Sequence, residues 1–310
     1  MRLLVVGAGP IGSLYAGRLA LAGHEVELAA RGERLGALRD SGLRLVDGAT
    51  GREERAPLRV VEAGDPAAAY DAAIVAVRSE RLAAALPALE ALRGAACLVT
   101  MVNQPDGGAA AAARLGAERL VLGFPGATAS IRPDGSVAYG VAPGFAQRTT
   151  FGDAAGGASP RCRGLAEACE AAGFPSALSA YMPAWLRTHA AFIGPVGVAL
   201  AFMAGSLEAL ASDRAAIALM VDGIREGLAA LRASGSRIEP ARLRALLAPR
   251  SLVLALASAL LRSKVMAPVL GGHAAVSRDE MRELIGASLA RAREAGMPRA
   301  ALEGLLAALG

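Results

Sequence analysis

Gly7, Gly9 and Gly12 lie in the run Gly7-Ala8-Gly9-Pro10-Ile11-Gly12, a G-x-G-x-x-G spacing that lets backbone approach a pyrophosphate. The first glycine permits a tight turn, the second keeps a side chain out of the phosphate's path, and the third allows a helix to pack closely on a strand. Pro10 and Ile11 would open that helix, whose free N–H groups and positive end attract phosphate. The motif carries weight only between two strands, and Arg2 to Val6 and Glu25 to Ala30 read as strands on either side of a helix from Ile11 to Ala22. The second strand leads into Arg31. A carboxylate at that point would hold ribose hydroxyls, as NAD requires, whereas a guanidinium suits a 2′-phosphate, so NADP is the expected cofactor. Glu27 comes too early along the strand to be the usual acid, and the bland alternative for Arg31 is a solvated loop arginine.

Proton transfer near neutral pH falls most naturally to histidine, and the chain has His24, His189 and His273. His24 precedes the second strand and reads as structural. His189 is two residues from Arg187, so on a regular helix the two side chains diverge. His273 follows Gly271-Gly272 on a loop, without helical constraint. All but one of the 33 basic residues are arginine; the exception, Lys264, closes an apolar helix and reads as a surface cation near its C-terminus. Cys97, Cys162 and Cys169 are odd in number and none stands in a metal-ligand spacing, which argues against a disulfide framework and a zinc site and for reducing cytoplasm.

At about 100 to 200 residues per domain, 310 residues favour two domains with cores that need no staples. Hydrophobic content of 54% with 4% aromatics points to tightly packed alanine, leucine and valine and excludes a disordered chain. The formal charge of +5 is spread without like-sign blocks or interleaved aromatics, so no nucleic-acid partner is expected. No targeting peptide is visible. One apolar stretch, Ala190 to Leu207, has the length of a membrane span but is broken by Gly194, Pro195, Gly197 and Gly205, so a buried helix is the expectation and no membrane partner is indicated.

The first half alternates apolar runs with helical stretches, the pattern of a parallel sheet covered by helices. Helix-like Glu33 to Ser41 is followed by a hairpin-like excursion pairing Leu43 to Val46 with Leu58 to Glu62. Strands then follow at Ala72 to Val77, Cys97 to Val102 and Leu120 to Phe124, with a helix over Arg81 to Leu92. Ala127 to Asp153 reads as antiparallel runs, Ser159 to Gly173 as a helix and Ala177 to Ala180 as a last strand. Beyond Pro183 the pattern is helical: Met182 to Ala211, Asp213 to Ser234, Pro240 to Leu261 and Arg278 to Gly296. The expected division is a dinucleotide-binding domain over 1–180 and an all-helical domain over 181–310. Apolar helices that could bury against a second copy suggest a homodimer.

The opening GAGPIGSLYAGRLALAGHEVELAARG, the segment DAAIVAVRS with Arg78 after its strand, and Asn103 after CLVTMVN resemble the ketopantoate reductase family in order and spacing. The resemblance covers nearly the whole chain. It implies a Rossmann-like domain followed by an all-helical domain similar to the 6-phosphogluconate dehydrogenase C-terminal fold, with substrate in a cleft between them. It also implies cofactor binding by Gly7, Gly9, Pro10, Ile11, Gly12, Arg31, Arg78 and Asn103. Glu280-Met281-Arg282-Glu283-Leu284-Ile285-Gly286, followed by Gly296-Met297-Pro298, is similar to the family's E-I-D-x-x-N-G and G-I-x-x-P segments, which makes Glu280 the candidate substrate-binding glutamate; a first-turn carboxylate favoured by the helix dipole is its alternative.

The helical half departs from the pattern. After Trp185 the family's proton-donating lysine is Arg187, its asparagine one turn later is Ala191, and its serine falls on Pro268. Hydride transfer to a carbonyl places negative charge on oxygen, which must be stabilised or protonated. Arg187 can hold a carboxylate or the developing oxyanion but keeps its own proton, so His189, His273 or water must supply one. The implied activity is NADP-dependent reduction of a small carbonyl compound, with a 2-oxo acid as the candidate class. Two alternatives stay open: an inactive NADPH-binding sensor or interaction protein, and an imine reductase.

Overall fold

The structure, a computed structural model, describes residues 1–263 and 277–310. The chain divides into two compact units, one formed by 1–102 with 108–182 and the other by 103–107 with 183–310.

In the first unit the strands are β1 (Arg2–Val6), β2 (Glu25–Ala29), β3 (Leu43–Asp47), β4 (Glu53–Ala56), β5 (Arg59–Val61), β6 (Ala72–Val75), β7 (Leu98–Met101), β8 (Leu120–Phe124), β9 (Ala127–Ile131), β10 (Val137–Val141), β11 (Thr149–Asp153) and β12 (Ser176–Leu178). Its helices are α1 (Pro10–Leu21), α2 (Gly32–Ser41), α3 (Ser79–Glu90), α4 (Ala109–Leu115) and α5 (Pro160–Ala171). Eight strands form one sheet in the order β12-β11-β8-β7-β6-β1-β2-β5. From β5 to β8 every pairing is parallel; β11 runs antiparallel to β8. The central strands are buried from end to end, as a sheet covered on both faces requires: β6 and β7 expose no residue. This is a Rossmann-like sheet, with its change of winding between β1 and β6.

A second sheet, β4-β3-β10-β9, covers α1. Gly17 of α1 makes this possible, since a Cβ there would stand 2.8 Å from Leu45 Cδ1. The expected hairpin from Leu43 is therefore corrected: β3 pairs with β4, and the chain from Leu58 joins the edge of the large sheet as β5 against β2. Tyr15 ties α1 to the far strands, its hydroxyl 2.5 Å from Thr149 Oγ1 and accepting from Gly126 N at 3.0 Å, with its ring stacked on Phe174 at 4.2 Å.

In the second unit α6 (Met182–Val198) runs through a π-helical turn, Ala199–Ala204, before α7 (Leu207–Ser212), α8 (Arg214–Ala233), a 3₁₀ stretch Ala241–Leu247, α9 (Arg250–Leu261), α10 (Arg278–Glu294) and α11 (Ala300–Ala307). Two helices expected to be continuous are thus broken. Ser206 and Asp213 cap α7 and α8 through their side chains, and a 116° bend separates Ala241–Leu247 from α9 at Ala248-Pro249. The apolar run Met182–Ala204 is long enough to cross a bilayer, yet Ala190, Ile193, Val196, Val198 and Leu200 lie in the core that α8 and α10 complete.

Candidate functional site

The turn from β1 into α1 has the geometry its glycines predict. Gly7 adopts φ +111°, and a Cβ on it would stand 2.7 Å from Ala76 O at the end of β6. A Cβ on Gly12 would overlap the Gly7 carbonyl oxygen. Gly9 differs from both: its backbone is extended (φ −71°, ψ −178°), and a Cβ would meet nothing within 4 Å. Gly9 also caps α1 without a side chain, Pro10 opens the first turn, and no acidic residue stands there. The space beside Gly9 at the positive end of α1 is thus open, as close approach of a pyrophosphate requires.

Three consecutive parallel strands deliver the other nucleotide candidates. Gly7 follows β1, Arg31 follows β2 on one side, and Arg78 follows β6 on the other. Arg31 and Arg78 are the residues immediately before α2 and α3, both are exposed, and neither side chain makes a hydrogen bond or ion pair among the described residues. Glu27 is committed elsewhere. It is 4% exposed, accepts from the Tyr70 hydroxyl at 2.7 Å and lies 3.4 and 3.5 Å from Arg59 and Arg2. The end of β2 therefore offers a cation and no carboxylate for a ribose.

In the second unit, Asn103–Gly107 gathers the helical candidates. Asn103 Nδ2 donates to Glu280 Oε1 at 2.8 Å. Ser277 caps α10 by accepting from Glu280 N, which fixes Glu280 in the first turn. Arg187, half-buried on α6, donates from Nη1 to Asp106 O and from Nε to Ser236 Oγ, both at 3.1 Å. Gly107 makes room for this, with φ +77° and no space for a Cβ between Arg187 and Pro183 O. Burial pulls the Arg187 guanidinium below its ordinary range, with Asp106 opposing the shift.

His189 does not join Arg187; its ring stacks on buried Trp185 with centroids 5.0 Å apart and planes 5° from parallel. Ala191, at the asparagine position of the motif, is buried against Gly227 and offers no polar group. His273, Lys264 and Pro268 lie outside the described residues. Sequence reasoning missed Arg291, which donates from Nη2 to Pro105 O at 3.3 Å. Its signal was present: eleven residues separate it from Glu280, three helical turns, which places both on one face of α10.

Residues 3–156 match the model of the ApbA family, described as ketopantoate reductase PanE/ApbA. No curated protein matches the chain. Among solved structures, 2-dehydropantoate 2-reductase from Geobacter metallireducens GS-15 is 18% identical with a TM-score of 0.77, the likeness covering 100% of this chain and 99% of that one. The PanE/ApbA family ketopantoate reductase from Ralstonia eutropha JMP134 is 22% identical with a TM-score of 0.71, over 100% and 97% of the two chains. D-mandelate dehydrogenase, in a ternary structure with NADH and anilino(oxo)acetate, is 15% identical with a TM-score of 0.78, again over 100% and 97%. At these identities the likeness establishes the fold.

Proposed function

The chain is a divergent member of the ketopantoate reductase family, carrying that family's domain over residues 3–156, and on that premise we propose that it is a cytoplasmic NADP-dependent oxidoreductase that reduces a small 2-oxo acid. The observation that carries the cofactor reading is the open space at Gly9, flanked by Arg31 and Arg78 with no carboxylate at the end of β2. Ile11 and Gly12 present backbone N–H groups to the pyrophosphate, Pro10, which has none, opens the helix, and Arg31 pairs with the 2′-phosphate. When bound, the reduced nicotinamide supplies a hydride for the carbonyl carbon.

Arg187 holds the substrate's carboxylate or the oxyanion that develops, and stays protonated throughout. Asn103 and Glu280, already hydrogen-bonded to one another, orient the polar groups of the substrate. The proton comes from His189, His273 or water, because the position two residues after Trp185 holds Arg187 and no lysine. The same substitution supports a second reading, an NADPH-binding sensor without turnover, since Arg187 is fastened to Asp106 O and Ser236 as a structural residue would be.

The test pairs cofactor titration with turnover. Arg31→Ala weakens NADPH binding by roughly 10- to 100-fold, the value of a charge-assisted hydrogen bond, and weakens NADH binding less. Equal binding of the two cofactors by the unaltered protein would overturn the NADP reading. Tight NADPH binding without oxidation by any oxo acid or cyclic imine would replace the enzyme with the sensor.

A further inference from the structure

Arg187 and Arg291 reach the same short segment from two different helices. One donates to Asp106 O and the other to Pro105 O, so two guanidiniums stand at adjacent carbonyls of Asn103–Gly107. Both are half-buried. Neither forms a salt bridge among the described residues; Asp106 and Glu294, the acids whose charges act on Arg291, are exposed. Each carbonyl occupies one N–H, and Arg187 uses a second on Ser236, which leaves most of the five donors of each guanidinium available.

Two like charges held together out of bulk water repel, and burial and the neighbouring Arg187 charge both pull Arg291 below its ordinary range. Backbone carbonyls offset part of that cost but carry no full charge. A ligand with two carboxylates offsets the rest, one per guanidinium, in the forked geometry that arginine presents and lysine does not.

We infer that Arg291 is a specificity-determining residue that joins Arg187 in a two-guanidinium site, so that the oxo acid reduced is a dianion with a second carboxylate. This rests on the proposed reading of Arg187 as the carboxylate-holding residue. A monoacid would leave one of the two charges uncompensated, which penalises it relative to a diacid.

The experiment compares NADPH oxidation by oxaloacetate and 2-oxoglutarate with oxidation by pyruvate and 2-oxobutyrate, at fixed ionic strength. The unaltered protein prefers diacids by about tenfold or more in kcat/KM, and Arg291→Gln lowers that preference by roughly tenfold, mainly through KM. Arg291→Lys, which keeps the charge and loses the fork, recovers part of it. No preference for diacids, or an equal fall for both classes in Arg291→Gln, overturns the inference and leaves Arg291 as a clamp on the segment. Calorimetric titration with malonate and acetate separates this outcome from failure of the enzyme reading. If no oxo acid is reduced, malonate binding that is lost in Arg291→Gln and regained in part in Arg291→Lys still supports the paired site; malonate bound no more tightly than acetate overturns it.

Discussion

At Gly9 and Gly12 the same substitution has opposite consequences. A Cβ on Gly12 overlaps the Gly7 carbonyl in the protein itself, so Gly12→Ala must push α1 away from β1 and destabilises the first unit by about 1–3 kcal/mol, the usual cost of overpacking. A Cβ on Gly9 meets nothing within 4 Å, and its extended backbone accepts any residue. Gly9→Ala therefore keeps the melting temperature within a degree or two while NADPH affinity falls by about tenfold or more, because the methyl group occupies the pyrophosphate's space. Melting curves and cofactor titrations on the two variants check this; a Gly9→Ala protein that binds NADPH normally would remove the turn from the site. The glycines were legible in the sequence because a short motif fixes their spacing. Arg291 was legible only in part: its three-turn spacing from Glu280 puts it on that residue's helix face, but its partner Pro105 lies 186 residues away in sequence, and only folding brings the face to that carbonyl.

Elements with a strong local pattern were legible, and those set by competition between distant partners were not. Leu58 to Val61 has the composition of a hairpin partner for β3, but β4 takes that place and β5 goes to β2. Nothing within the segment itself decides between the two edges. α11 was likewise missed in the sequence. Its starting residues, Arg299 and Ala300, hold no capping side chain, and its N-terminus is capped instead from another helix. Glu226 of α8 accepts from Ala301 N at 3.2 Å and from Leu302 N at 2.9 Å, a carboxylate at the positive end of a helix. Leu302 and Leu305 are fully buried, so α11 is held by its apolar face as well as by that cap. Glu226→Ala should lower stability by about 1–2 kcal/mol in denaturant unfolding, the range of a lost helix cap, and Glu226→Gln by less because the amide oxygen still accepts. An unchanged midpoint in Glu226→Ala would show that packing alone suffices.

Among the described residues the buried apolar side chains gather into two cores, one in each unit, and all three cysteines lie in the first. Burial pushes Cys97 and Cys162 up to about 11 and Cys169 up to about 12, and it raises the Tyr15 hydroxyl as well. The consequence for stability has a definite sign. A thiol whose value in the folded chain exceeds the ordinary 9.0 keeps its proton at pH values where the unfolded chain has released it. The stabilisation is complete below pH 9 and is lost as pH rises through the folded values of 11 to 12. Unfolding free energy is thus expected to be nearly flat with respect to thiol ionisation up to pH 9 and to fall steeply above it. Each buried thiol contributes up to about 1.4 kcal/mol per pH unit in that window. Cys169→Ala separates this linkage from packing. The lost sulfur lowers stability by the same amount at every pH, whereas the lost proton makes the alkaline slope shallower by one proton's worth. Denaturant midpoints measured from pH 7 to 11 read both quantities, and parallel curves for the variant and the unaltered protein would place the alkaline transition elsewhere, with the Tyr15 hydroxyl as the next group to replace.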